Sequence, residues 1–526
     1  MRDFSQLLDA LVYTRSRTAK LKLIGDYLKR TPDPDRGWAL AALTGELDLP
    51  AVKAAAIRGL VEQRVDPVLF GMSWDYVGDL AETAALLWPK PEGQPPELDD
   101  GTLGIGAVVE RLAALGRSEA PGALAGMLDH LDASGRFALL KLATGELRIG
   151  VSARLAKVAL ASAFGLDVDA VEEVWHGIDP PYRPIFAWAE GRAPQPSAED
   201  VPVFRPFMLA HPLDDDARLS LDDYAAEWKW DGIRVQLAAA AGAVSLYSRG
   251  GDDVSGAFPD LVEAFTGLEA VADGELLVVR DGAVMPFNDL QQRLNRKSVT
   301  ARMLEQYPAH LRLYDLLLAD GEDLRPLSFI ERRRRLESWH AAARPPRSDL
   351  SEIIDFESFD ELNALWAGAR ARQLEGLMLK RKSSPYIPGR TRGHWYKWKR
   401  DPLTLDCVLM YAQRGSGKRS SYYSDYTFGL WRGDELVPVG KSYFGFTDEE
   451  LMRLDRFIRS HTSERFGPVR AVEPRLVLEV AFDAVQPSTR HKSGLAMRFP
   501  RIHRIRWDKP AGEADRLEAL EALVEK

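Results

Sequence analysis

The period of the apolar residues changes near residue 200, and that change restricts the fold of this 526-residue chain more than any other feature. Before it, Ala and Leu recur at three- and four-residue spacing, as in Phe4, Leu7, Leu8, Leu11 and Ala107, Val108, Leu112, Leu115, the signature of helices with one buried face. Pro and Gly separate them, most densely in the run Pro89-Lys90-Pro91-Glu92-Gly93-Gln94-Pro95-Pro96, which reads as a loop. A polar, proline-bearing stretch at residues 191–200 reads as a linker. After it come short runs suited to strands, such as Ile233-Arg234-Val235-Gln236-Leu237, Val244-Ser245-Leu246-Tyr247-Ser248 and Leu311-Arg312-Leu313-Tyr314. The arginine run 332–335 has flanks (Phe329, Ile330, Leu336, Trp339) at helical spacing and reads as the solvated face of a helix. A third, strand-rich segment starts at Asp401, with strands expected near residues 405–410, 426–431 and 476–482, and its size suits a small barrel. The fold class is therefore multidomain: an all-α domain over 1–200, an α+β domain over 201–400 and a C-terminal β-barrel over 401–526.

Composition narrows the function. No apolar run reaches the length of a membrane span, and the start Met1-Arg2-Asp3-Phe4-Ser5-Gln6 lacks the apolar core of a signal peptide. The single cysteine, Cys407, rules out an internal disulfide and a four-cysteine zinc site, so a reducing cytoplasm is expected. The net charge of −9 hides an asymmetry. Residues 380–419 carry eleven Lys or Arg against Asp401 and Asp406, and residues 488–509 carry seven more against Asp508. Local patches of this kind, rather than net charge, set affinity for phosphates, so nucleic acid is the expected partner.

The chemistry centres on Lys229-Trp230-Asp231-Gly232-Ile233-Arg234. A lysine amine attacks only when deprotonated, and burial or neighbouring cations favour that form. Five further segments follow in order: Ser248-Arg249-Gly250-Gly251, Asp273-Gly274-Glu275-Leu276, Leu313-Tyr314-Asp315, Glu375-Gly376-Leu377-Met378-Leu379-Lys380 and Trp395-Tyr396-Lys397-Trp398-Lys399. In a strand, Lys397 and Lys399 share one face, able to hold an α-phosphate and lower the pKa of Lys229, and Asp273 and Glu275 share another. The same alternation sets Glu375 and Lys380 on opposite faces, so either the strand bends near Gly376 or the two do different jobs. Gly415-Ser416-Gly417-Lys418 lacks the spacing and context of a phosphate-binding loop.

Together with Glu227 and Trp228 before the lysine, these segments resemble the ATP-dependent DNA ligases, within the covalent lysyl nucleotidyltransferases of three-domain type. The resemblance covers nearly the whole chain and implies an OB-fold for the C-terminal barrel. It implies that Lys229 attacks the α-phosphate of ATP, that AMP passes to a 5′-phosphate at a nick, and that a 3′-hydroxyl displaces it. Glu227 is then expected to contact the adenine amino group, Tyr314 to stack on the base where the family often has phenylalanine, and Glu275 to reach ribose or a metal. Glu275 and Glu375 are the expected ligands of Mg²⁺ (or Mn²⁺). Arg234 and Arg249 are expected on ribose, phosphate or the nick, and Lys397 and Lys399 on the α-phosphate. The family often has an arginine at the position of Thr391; here Arg390 and Arg392 flank it, and Arg392 is a candidate nucleotide contact, the choice between the two staying open. Residues 140–150 resemble a segment of the helical DNA-binding domain. Arg498-Phe499-Pro500-Arg501-Ile502 and Arg506-Trp507-Asp508-Lys509 resemble the last motif of the family, with Arg506 and Lys509 orienting pyrophosphate. In the family the 415–418 stretch is a surface loop of the OB domain that touches DNA. The expected partner is nicked double-stranded DNA, the expected state a monomer without membrane contact, and the expected place the cytoplasm, on the nucleoid if bacterial. Roles in replication, repair or recombination are implied. RNA-capping or RNA-joining enzymes are disfavoured by the long helical region, NAD-dependent ligases by the lone cysteine, and a non-catalytic nick-binding protein by the intact lysines.

Overall fold

The computed structural model describes residues 1–49, 52–77, 79–90, 103–145, 147–197, 201–213, 219–294, 296, 298–372, 374–414 and 422–524. Residues 91–96 of the proline-bearing loop, Glu146, residues 198–200 of the linker and residues 415–419 of the glycine-rich stretch lie outside them. Contacts divide the chain into two compact units, one of residues 1–51, 98–116 and 141–400, the other of residues 52–97, 117–140 and 401–526. The N-terminal helices, expected to form one body, are thus shared between the two. Among the described residues no helix is long and apolar enough to cross a membrane.

The helices follow from the apolar spacing. Arg2–Tyr13 buries Phe4, Leu7, Leu8 and Leu11, as expected. Ile105–Ala113 buries Ile105, Val108, Val109 and Leu112, so the inward stripe is rotated from the one expected, with Ala107 outside it. Ser152 caps Ala153–Phe164 by accepting from the Leu155 N–H, and Gly165 ends it in the left-handed conformation. Beyond the helix Ala133–Thr144, Ile149 and Gly150 are held by the buried Lys20, whose Nζ donates to their carbonyls at 2.7 Å and 3.0 Å. Helices of the second unit are joined at Trp88, whose indole N–H donates to Asp129 at 2.8 Å and whose carbonyl accepts from Arg136 at 3.0 Å.

Two sheets in the first unit build the site. One has five strands in the order His211–Pro212, Trp395–Lys399, Gly376–Arg381, Tyr224–Lys229, Ile353–Ile354. The other runs Ala243–Ser248, Ile233–Ala240, Ala270–Arg280, Ala309–Ala319, Glu322–Asp323, with two short strands added at its sides. Strand alternation explains how they meet. Tyr224, Ala226, Trp228, Leu377 and Leu379 enter one apolar cluster with Leu362 of the helix Phe359–Gly368, and Trp398 stacks on Trp366 and Phe359. Ala225 and Trp395 face the other way, into a cluster with Ala238, Val271 and Leu317 of the second sheet. Glu227, Lys229, Lys380, Lys397 and Lys399 share that inward parity.

In the second unit, Leu403–Arg414, Tyr423–Arg432 and Val477–Phe482 are strands where strands are expected, in a seven-stranded sheet that curls into a small barrel of the OB type. Its core includes Cys407, Leu409, Phe428, Val480 and Ile502. Cys407 is fully buried, and burial pushes its thiol well above the usual range.

Candidate active site

Lys229 ends its strand, and its amine is ion-paired with Glu375, which also lies 3.7 Å from the amine of Lys399. Burial alone would lower the Lys229 pKa, but Glu375, Glu275 and Asp231 outweigh it and hold it above the ordinary lysine value. Within the protein alone the carboxylates therefore dominate, and the lowering of Lys229 expected from Lys397 and Lys399 does not prevail. Glu275 lies in the same field: burial, opposed by Lys229 and reinforced by Glu375, pushes its carboxyl up to about 7.

The question of Glu375 and Lys380 is settled by both alternatives at once. Gly376 sits at φ +136°, and a Cβ there would stand 2.0 Å from the Trp398 carbonyl oxygen, so the chain turns where only glycine fits. Glu375 reaches Lys229, whereas Lys380 is buried and paired with Glu227. The Lys380 ammonium lies 4.4 Å from the ring centre of Tyr314, 4.8 Å from Trp395 and 5.0 Å from Phe329.

Tyr314 owes its placement to a bulge: Asp273 opposes Asp315 and Gly274 opposes Leu313, leaving Tyr314 as the extra residue. Bulges of this kind re-aim a side chain beside a site. Asp273 is wholly buried and accepts from Arg234 at 2.7 Å, Tyr386 at 2.6 Å and Gln236 at 2.9 Å. Arg234 also donates to the Met208 carbonyl at 2.7 Å and packs 4.3 Å from the Phe207 ring, so much of its fork is engaged inside the fold.

Lys397 is the centre of positive charge. Burial lowers its pKa first, then Arg390, Lys399, Arg249 and Lys229 add to the effect. Arg249, which is exposed, is lowered by desolvation and then by Arg234 and Arg390. Arg390 bears on both Lys397 and Arg249, and Arg392 is exposed in the turn before the strand Trp395–Lys399. The basic patch is thinner than its count, because Lys380 is neutralised by Glu227.

In the second unit, Arg506 and Lys509 share one carboxylate. Asp406 accepts from Lys509 at 2.7 Å and Arg506 at 3.3 Å, and Arg506 also pairs with Asp508 at 2.9 Å.

Two residues were not foreseen in the site. Arg332 and Arg333, expected on a solvated face, are buried in the helix Phe329–Ala343, while Arg334 and Arg335 are exposed. Arg332 makes a two-pronged bond to Asp315 at 2.8 and 2.9 Å, and Arg333 lies 3.4 Å from Glu227. The signal was present: Phe329, Arg332, Arg333 and Leu336 follow the i, i+3, i+4, i+7 spacing of a buried stripe.

A lysine lodged among carboxylates and cations between two packed sheets, with a small β-barrel in the second unit, defines the class of covalent lysyl nucleotidyltransferases. The family model described as ATP dependent DNA ligase domain matches residues 207–399, and that described as ATP dependent DNA ligase C terminal region matches 419–509. A probable DNA ligase of Koribacter versatilis (strain Ellin345) is 32% identical, over 99% of this chain and 96% of its own length. DNA ligase 1 of Korarchaeum cryptofilum (strain OPF8) is 30% identical over 100% and 98%. The solved structure named Pmar-Lig_Pre has the same fold, with a TM-score of 0.59 at 16% identity, over 96% of this chain and 99% of that one. The chain belongs to the ATP-dependent DNA ligases, enzymes that seal nicks in duplex DNA with ATP as co-substrate.

Proposed function

We propose that Lys229 is the nucleophile of this ligase and that the convergence of Glu275, Glu375, Lys397 and Lys399 on it forms the adenylation centre. The observation that carries the reading is the ion pairing of Glu375 with both Lys229 and Lys399. The Lys229 amine, once deprotonated, attacks the α-phosphorus of ATP, a P–N bond forms, and the bond to pyrophosphate breaks. The 5′-phosphate of the nick then takes AMP from Lys229, and the 3′-hydroxyl displaces AMP to form the phosphodiester. Positioning and charge neutralisation carry most of such a reaction. Lys397, with Arg249 and Arg390 around it, supplies positive charge to the α-phosphate. Tyr314 stacks on adenine, and Glu227 accepts from its amino group. Arg234 braces Asp273 and presents its remaining edge to the nucleotide.

Among the described residues no group of three or more His, Cys, Asp or Glu could hold a metal by itself. Glu375 lies close enough to Glu275 to raise its pKa, and Mg²⁺ commonly uses one or two carboxylates plus phosphates. That donor set fits Mg²⁺ (or Mn²⁺) arriving with ATP. When bound, the ion neutralises phosphate charge. Glu275 and Glu375 would hold such an ion, and Lys229 would then lose the two carboxylates that most raise its pKa.

Residues 1–200 serve as the DNA-binding domain, 201–400 as the adenylation domain and 401–526 as the OB domain of a monomer acting on nicked duplex in the cytoplasm. Sealing of a nicked duplex with ATP, NAD or GTP supplied separately tests the reading; product is expected with ATP, and sealing driven by NAD alone would overturn it. Arg506 and Lys509 orient pyrophosphate as it leaves. Arg506→Ala and Lys509→Ala are expected to slow lysyl-AMP formation by about tenfold or more while sealing pre-adenylated nicks near the normal rate, since pyrophosphate has already gone. Equal loss in both single-turnover assays would replace the leaving-group role by a structural one.

A further inference from the structure

Glu227 lies deep between the two sheets, 2% exposed, and two cations address it from different directions. Lys380 on the adjacent strand pairs with Oε2, held among the rings of Tyr314, Trp395 and Phe329. Arg333 approaches Oε1 from the helix Phe329–Ala343, with Nη1 at 3.4 Å. Its Nε donates to Glu337 Oε1 at 2.7 Å, which anchors the guanidinium from a half-exposed carboxylate. The 3.4 Å separation is longer than a strong charge-assisted hydrogen bond, so Arg333 stabilises the charge on Oε1 without saturating it as an acceptor.

We propose that Arg333, acting through Glu227, is a positioning residue that makes the site select a purine bearing a 6-amino group. The inference rests on the reading of Glu227 as the adenine contact. An ionised carboxylate only accepts hydrogen bonds, so it pairs with the 6-amino group of adenine and opposes the 6-oxo group of hypoxanthine or guanine. A protonated carboxyl gains a donor and loses that preference. Burial holds the Glu227 pKa above the usual carboxylate value, and Lys380, then Arg333, limit that rise. Lys380 lies on a central strand of its sheet, whereas Arg333 lies on the helix Phe329–Ala343 and can be changed while the strand pairing is kept.

The test is single-turnover formation of the lysyl-nucleotide adduct at subsaturating ATP, inosine triphosphate and purine riboside triphosphate, the last lacking any 6-substituent. Wild-type enzyme is expected to prefer ATP over inosine triphosphate. Arg333→Gln is expected to narrow that ratio by about tenfold, the scale of one buried polar contact, with the purine riboside rate within about threefold of wild type. Arg333→Lys, which keeps the cation, is expected to restore most of the ratio. Rates that fall together for all three nucleotides, leaving the ratio unchanged, overturn the proposal in favour of a merely structural role. If wild-type enzyme shows no preference for ATP, the Glu227 base contact itself is wrong and the proposal goes with it. Should Arg333→Gln fail to fold, Glu337→Gln, which releases the other end of the guanidinium, is expected to narrow the ratio about threefold, and an unchanged ratio there has the same overturning force.

Discussion

Lys229→Ala is expected to abolish the AMP adduct and to lower sealing from ATP by at least about a thousandfold, the scale on which loss of a covalent nucleophile acts. Intact-mass analysis after incubation with ATP and Mg²⁺ should show one added AMP on the wild-type chain and none on the variant. Peptide mapping should place it on Lys229. An adduct on Lys397 or Lys399, both in the same charged field, would move the nucleophile to that residue. Lys229→Arg should fail as completely, because a guanidinium cannot be deprotonated to attack. Glu375 has lost its ion-pair partner in the alanine variant but keeps Lys399 nearby, so the loss is chemical rather than a collapse of the sheet.

The largest effect on stability is expected at Arg332. Both it and Asp315 have fully buried side chains, and Arg332 also donates to the carbonyls of Leu327 at 2.6 Å and Ser384 at 3.0 Å. Removing one member of such a pair leaves an uncompensated buried charge, so Arg332→Met should cost about 3–5 kcal/mol in the unfolding of the first unit. Replacing both partners, with Asp315→Leu added, should recover more than half of that loss, because the desolvated charge disappears with its counter-ion. Thermal or denaturant unfolding of the wild type, both single variants and the double variant makes the comparison. A single-variant loss below about 1 kcal/mol would mean that water reaches Asp315. Because Asp315 follows Tyr314 at the bulge, the same variant should also weaken binding of ATP.

The sequence carried the strands, the order of the chemical segments and the shared face of Lys397 and Lys399, since alternation along a strand is local and fixed. It could not carry what depends on distant residues meeting. The pairing of Glu375 with Lys229 joins residues far apart in the chain, and the net effect on the lysine depends on carboxylates that no spacing rule brings together. Tyr314 is re-aimed by a bulge visible only in the register of two strands. Arg332 and Arg333 escape a reading by residue type for another reason: arginine is ordinarily exposed, whereas their helical spacing places them on the buried stripe. The division of the helices between two compact units likewise follows from contacts such as those at Trp88, not from any break in the apolar pattern.

Cys407 lies in the barrel core with no exposed surface and with its thiol held in the protonated form. Maleimides and other thiol reagents attack accessible thiolates, so the natural chain is silent toward them. A cysteine introduced at Tyr13, 84% exposed in one unit, or at Phe466, 55% exposed in the other, becomes the sole reactive position with no need for a cysteine-free background. Paired labels at those two sites turn the separation of the two units during each step of joining into an optical distance measurement on an otherwise unaltered enzyme.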